Sequence, residues 1–189
     1  MMDVGIKFPN TGDFTNHNVI ENVLNYIFTN PTERHLDRKP KPLHFLGVPY
    51  IGHQPQIDKL IACFKLIRES QNQTIPQQIW HFTINFPTKF SSAYNEYFYF
   101  ADAIASLFSY QYPVAYSYHT ENKTTGNKHS HFHYIVSTSS YISDHPALDA
   151  DHLMQYLMQM PAIAERYNIN LYFQQRQEEL KCLNLTKIF

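Results

Sequence analysis

His129-Ser130-His131-Phe132-His133-Tyr134-Ile135-Val136-Ser137 is the stretch whose reading decides the fold. Three histidines alternate with other residues and run into an aromatic and β-branched tail, the pattern of a half-buried strand. Residues two apart on a strand share a face. His129, His131 and His133 therefore project together, with Ser130, Phe132 and Tyr134 opposite. Upstream, Pro113-Val114-Ala115-Tyr116-Ser117-Tyr118-His119-Thr120 reads as a second strand, and the polar segment Glu121 to Lys128, containing Gly126, reads as a hairpin loop. Antiparallel pairing sets His119 beside the first histidines of the later strand. Two imidazoles from one strand and one from its neighbour make a facial three-nitrogen site, with positions left for water or a phosphate oxygen. Ordinary strand histidines and a closed structural zinc site are the alternatives. A structural zinc usually recruits cysteine, and none is near.

The rest of the chain supplies the frame. Ile20, Val23, Leu24, Ile27 and Phe28 form the stripe of an amphipathic helix stopped by Asn30-Pro31, with Tyr26 at the edge of the stripe. Tyr26 reads either as a boundary residue or as a phenol facing a cleft. Ile57, Leu60, Ile61, Phe64 and Ile67 mark a second helix. Ile79 to Phe86 alternates Trp80, Phe82, Ile84 and Phe86 against His81, Thr83 and Asn85, a strand with one dry and one polar face. Ser91 to Tyr112 is helical. Asp151 to Met160 is a helix that Pro161 interrupts, and Ala162 to Tyr167 resumes it. Ile169 to Phe173 is a short strand. Residues 1–16 read as a loop or a short edge strand, and residues 31–56 as an irregular connection. Strands joined by a hairpin and by helical crossovers imply an α+β architecture. The sheet is antiparallel-rich, carries helices packed on it, and has the histidine strand near its centre.

The chain has 189 residues, expected to form a single domain over 1–189. Aromatic residues are abundant (14 Phe and 14 Tyr), and the formal net charge is −1. Two cysteines, Cys63 and Cys182, are far apart, which argues against a disulfide framework. No apolar run approaches membrane-spanning length and no signal pattern opens the chain. A cytoplasmic protein with no membrane partner is expected. The overall charge does not point to nucleic acid, so a phosphate backbone needs local basic patches. Arg34-His35-Leu36-Asp37-Arg38-Lys39-Pro40-Lys41-Pro42-Leu43-His44 is one.

His131-Phe132-His133 followed by Tyr134-Ile135-Val136 resembles the histidine–hydrophobic–histidine signature of the HUH endonucleases, and most closely their relaxase (plasmid mobilisation nuclease) branch. Three further pieces, in the right order, are similar to that branch. They are Asn25-Tyr26-Ile27-Phe28-Thr29-Asn30-Pro31, Trp80-His81-Phe82-Thr83-Ile84-Asn85-Phe86-Pro87 and His119-Thr120-Glu121. The likeness spans about residues 18–175, and Ser137 departs from the family's usual Asn.

The resemblance implies a metal-dependent nick in single-stranded DNA by transesterification, through a 5′-phosphotyrosine intermediate. Tyr26 is the nucleophile it implies, with Tyr156 the alternative by analogy with rolling-circle replication initiators of the same superfamily. His119, His131 and His133 would hold Mn²⁺ or Mg²⁺. His129 would be a fourth ligand or a proton shuttle, and Glu121 would orient a ligand imidazole from behind. Arg34, Arg38, Lys39, Lys41, Lys123 and Lys128 would meet phosphates. The expected partners are single-stranded DNA at an origin of transfer or replication and accessory DNA-processing proteins. The expected role is mobilisation of a plasmid or integrative element. The rival readings are a replication initiator, a catalytically silent single-strand-binding module, and a metal-site hydrolase of small phosphoesters.

Overall fold

The computed structural model describes residues 1–8, 14–28, 44–46, 57–71, 75–87, 94–121 and 128–174. Along the chain run β1 (Met2–Lys7), α1 (Val19–Phe28), β2 (His44–Leu46), α2 (Ile57–Ser70), β3 (Ile79–Asn85) and α3 (Tyr94–Ser109). Then come β4 (Val114–Glu121), β5 (Lys128–Ser137), α4 (Ala150–Leu157), α5 (Met160–Glu165) and β6 (Ile169–Phe173). The strands form one six-stranded sheet in the order β2-β4-β5-β3-β1-β6. Every pairing is antiparallel except β1 with β6. The class is α+β as expected, and the histidine strand β5 is interior. Among the described residues, no helix is long and apolar enough to cross a membrane.

Strand alternation gives the sheet two different faces. Trp80, Phe82 and Ile84 of β3, Val114 and Tyr116 of β4 and Phe132, Tyr134 and Val136 of β5 point to one side. There they meet Phe100, Ala101, Ile104 and Phe108 of α3, Leu153 and Leu157 of α4, and Met160 of α5. Aromatic rings dominate this layer, with Phe82 stacked on Tyr134 at 4.9 Å. On the other face Ile79, Ala115 and Ile135 make a smaller apolar patch. The buried stripe of α1 (Val19, Ile20, Leu24, Ile27) covers it together with Leu60, Ile61 and Phe64 of α2. A partly buried guanidinium locks α2 down. Arg68 donates to the carbonyls of Gln77 (3.1 Å) and Ile75 (2.8 Å), satisfying the turn that leads into β3.

Three local expectations need correction. Residues 31–56 are not an irregular connection throughout, since His44–Leu46 forms β2 against β4. Residues 2–7 are neither loop nor edge: β1 lies between β3 and β6. Val4, Ile6 and Phe8 alternate into the aromatic core, while Asp3 and Gly5 between them dilute the hydrophobic signal. Pro161 does not interrupt the helix before it. α4 already ends at Leu157, and Pro161 sits in the first turn of α5. A proline there costs little, because its missing N–H has no helical partner at that position.

Phe82 is fully buried and touches Phe8, Phe108 and Tyr134. Phe82→Ala is expected to cost about 3–5 kcal/mol in urea denaturation. A loss under about 1 kcal/mol would contradict this placement of the core.

Candidate metal centre

The pairing of β4 with β5 sets His119 directly opposite His131 and Ser117 opposite His133. The pairing of β3 with β5 sets Asn85 opposite His131 and Thr83 opposite His133. All of these side chains lie on the α1/α2 face, and all are buried. The polar face expected for β3 therefore exists, but it is closed over. His119, His131 and His133 converge so that one ring nitrogen from each lies within 4.8 Å of the other two. His131 Nε2 is 3.1 Å from His133 Nε2. That is close to the separation of two nitrogens that each bond one ion at about 2.1 Å. The donor set is three buried imidazoles, and it fits a divalent transition metal. The Ser117 hydroxyl is fully buried on the same face and has no hydrogen-bond partner among the described residues.

Two contacts orient the rings. His119 Nε2 donates to the carbonyl of Ile27 at 2.8 Å. A carbonyl only accepts, so the proton sits on Nε2 and Nδ1 carries the lone pair. Ile27 lies in the last turn of α1, where carbonyls have no partner within the helix, so His119 also caps that helix. His133 Nδ1 lies 2.8 Å from His81 Nε2, with the two rings 5.1 Å apart and tilted by 30°. Burial above all, with His131 close by, pushes the His81 pKa down to about 3. Phe14 meets the His81 ring edge-on at 6.1 Å.

Tyr26 is brought to this group. It stands one residue before Ile27, off the buried stripe of α1, and its ring meets His133 edge-on at 5.8 Å. It is 43% exposed, so one side of the ring faces the imidazoles and the other faces solvent. Tyr156 is not brought there. It packs on Phe108 and Tyr112, its hydroxyl bonds Gln111, and it belongs to the aromatic layer on the opposite side of the sheet. Burial raises its pKa. Tyr156, the alternative nucleophile, thus lies on the opposite face of the sheet from the three histidines.

Arg34, Arg38, Lys39, Lys41 and Lys123 lie outside the described residues, as do the side chains of Glu121, Lys128 and His129. The backbone of Glu121 pairs with Lys128 beyond an irregularity that follows His119. The sequence reading left three parts of the site unassigned: His81, Ser117 and the Ile27 carbonyl. His81 had a signal in the alternation of β3, but only the neighbourhood of β3 and β5 turns it into a member of the cluster. Compared with known proteins, the chain matches no family model and no curated relative.

The His81 imidazole ties acid stability to the cluster. The unfolded residue takes a proton near 6.5, whereas the folded one resists down to about 3. Its contribution is complete above pH 6.5 and is lost as pH falls from there toward 3, since only the unfolded chain gains the proton. In chelator-treated protein, His81→Gln is expected to flatten the decline of urea stability across that window. Parallel pH profiles for the variant and the wild type would remove His81 as its source.

Proposed function

We propose that the protein is a metal-dependent, single-strand DNA nicking transesterase of the relaxase-like HUH type. Tyr26 is the nucleophile, and His119, His131 and His133 hold Mn²⁺ or Mg²⁺. The observation that carries this reading is the half-exposed Tyr26 ring standing against His133 of the three-histidine group. Nitrogen ligands favour Mn²⁺ of the two ions, since Mg²⁺ prefers oxygen and dehydrates reluctantly.

The chemistry follows from what each group can do. The Tyr26 oxygen forms a bond to phosphorus while the bond from phosphorus to the 3′ oxygen breaks. The phenol loses its proton and the departing 3′ oxygen takes one up. One phosphodiester replaces another, so the step is reversible and needs no nucleotide cofactor. When bound, the cation supplies Lewis-acid stabilisation of the charge that builds on the phosphate oxygens. The buried, neutral imidazoles leave the charge of the ion undiminished. The hydrogen bond from His119 to Ile27 fixes the turn that carries Tyr26, so nucleophile and ligand set are positioned together. The substrate in this reading is single-stranded DNA at an origin of transfer or replication, in the mobilisation of a plasmid or integrative element. The initiator reading, with Tyr156 as nucleophile, has the sheet between the phenol and the histidines.

Incubation with origin-like single strands and Mn²⁺ is expected to give a covalent protein–DNA adduct, seen as a shifted band on denaturing gels. Tyr26→Phe is expected to abolish the adduct and Tyr156→Phe to retain it. His131→Ala should slow cleavage on the order of 10²-fold or more. An adduct that survives Tyr26→Phe but not Tyr156→Phe would transfer the role to the far-side tyrosine. Strands that are bound but never cut, whatever the ion, would reduce the protein to a binding module.

A further inference from the structure

We infer that His81 is a positioning residue of the metal centre: its Nε2 accepts the Nδ1–H of His133 and holds that ring with Nε2 turned to the ion. The inference rests on the three-histidine metal reading alone and stands whether or not the substrate is DNA. His131, His133 and His81 form a continuous chain of imidazoles, with Nε2 to Nε2 at 3.1 Å and then Nδ1 to Nε2 at 2.8 Å. Such a chain has two proton arrangements. In one, His81 donates to His133, and His133 in turn donates through Nε2 toward His131, so its Nε2 carries a proton where a ligand needs a lone pair. In the other, the proton of His133 sits on Nδ1, His81 accepts it, and Nε2 is a ligand atom. An ion selects the second arrangement, and His81 is the acceptor that makes it possible.

The fold holds His81 in that role. It is opposite Ile135 in the pairing of β3 with β5, one diagonal step from His133, where side chains on one face meet. It is buried, and Phe14 closes over its ring. Its Nε2 meets the Nδ1 of His133, the nitrogen on the far side of that ring from the Nε2 pair. His81 therefore backs the site instead of adding a fourth ligand. Acceptors behind a ligand histidine fix its tautomer and raise its basicity.

Mn²⁺ uptake by wild type, His81→Phe and His81→Gln separates the possibilities, with free Mn²⁺ counted by electron paramagnetic resonance. Phe fills the space without an acceptor, whereas the Gln amide oxygen stands near where Nε2 was. His81→Phe is expected to weaken Mn²⁺ binding about 10- to 100-fold, and His81→Gln to restore most of it. In Zn²⁺-loaded protein, a slowly exchanging downfield imidazole proton is expected in wild type and in His81→Gln but not in His81→Phe. Equal Mn²⁺ affinity in wild type and His81→Phe would overturn the role of His81 while leaving the metal centre intact. Failure of the wild type to take up Mn²⁺ or Zn²⁺ would instead bring down the centre itself, and this role with it.

Discussion

The register of three neighbouring strands is the constraint on which the rest of the molecule depends. β4, β5 and β3 lie side by side so that His119 faces His131 and Thr83 faces His133. Side chains alternate with a period of two, so one step of slippage by β5 would send His131 and His133 to the far side of the sheet. It would also turn Phe132 and Tyr134 out of the aromatic core. The same alternation fixes both layers, so the arrangement that buries the rings also gathers the histidines. An isolated substitution in the aromatic layer can loosen the core, but it does not offer the strands a competing register.

The two layers do different work. The aromatic side supplies most of the apolar burial, with fully buried tyrosines held by specific partners. Tyr134 donates to the Ala101 carbonyl, and Tyr116 bonds the Asp102 carboxylate. Burial raises the pKa of both phenols, and the Asp102 carboxylate beside Tyr116 adds to the effect there. They are built as donors that stay protonated. The histidine side carries polar groups that are costly to bury, and apart from the Ser117 hydroxyl it meets that cost by pairing them with one another or with backbone. Asn85 alone donates to the Gly5 carbonyl, the Thr83 hydroxyl and the Gln174 amide oxygen. Polar burial is concentrated on one half of the sheet while the other half stays dry.

Much of this was legible from the chain alone, for physical reasons. β5 and β3 alternate cleanly, and the stripes of α1 and α2 hold their period, so those elements and their buried faces follow from pattern. The approach of His119 to His131 follows from a hairpin, which is a local event. What stayed hidden depends on contacts between distant segments. The interior position of β1 comes from pairing with β3 and β6, and nothing between Met2 and Lys7 announces either partner. His81 looked like one polar residue among three, because its significance lies in which strand lies beside β3. The Ile27 carbonyl is a backbone group with no sequence signature at all. Tyr156 was the alternative nucleophile by analogy of position along the chain, and α4 packs against the opposite face of the sheet.

The bond from His119 to Ile27 carries a further thermodynamic consequence. In the proposed site the His119 ring would be at once a ligand and the cap of the helix that bears Tyr26, so seating of that helix and retention of an ion would be reciprocal, each strengthening the other by the same factor. The last turn of α1 then acts as a reporter of occupancy. Amide protons near Tyr26 should exchange more slowly when the ion is present, and anything that pries the helix from the sheet would loosen the ion from a distance. Phenol and cation would in this sense be one cooperative unit, joined through a single carbonyl oxygen.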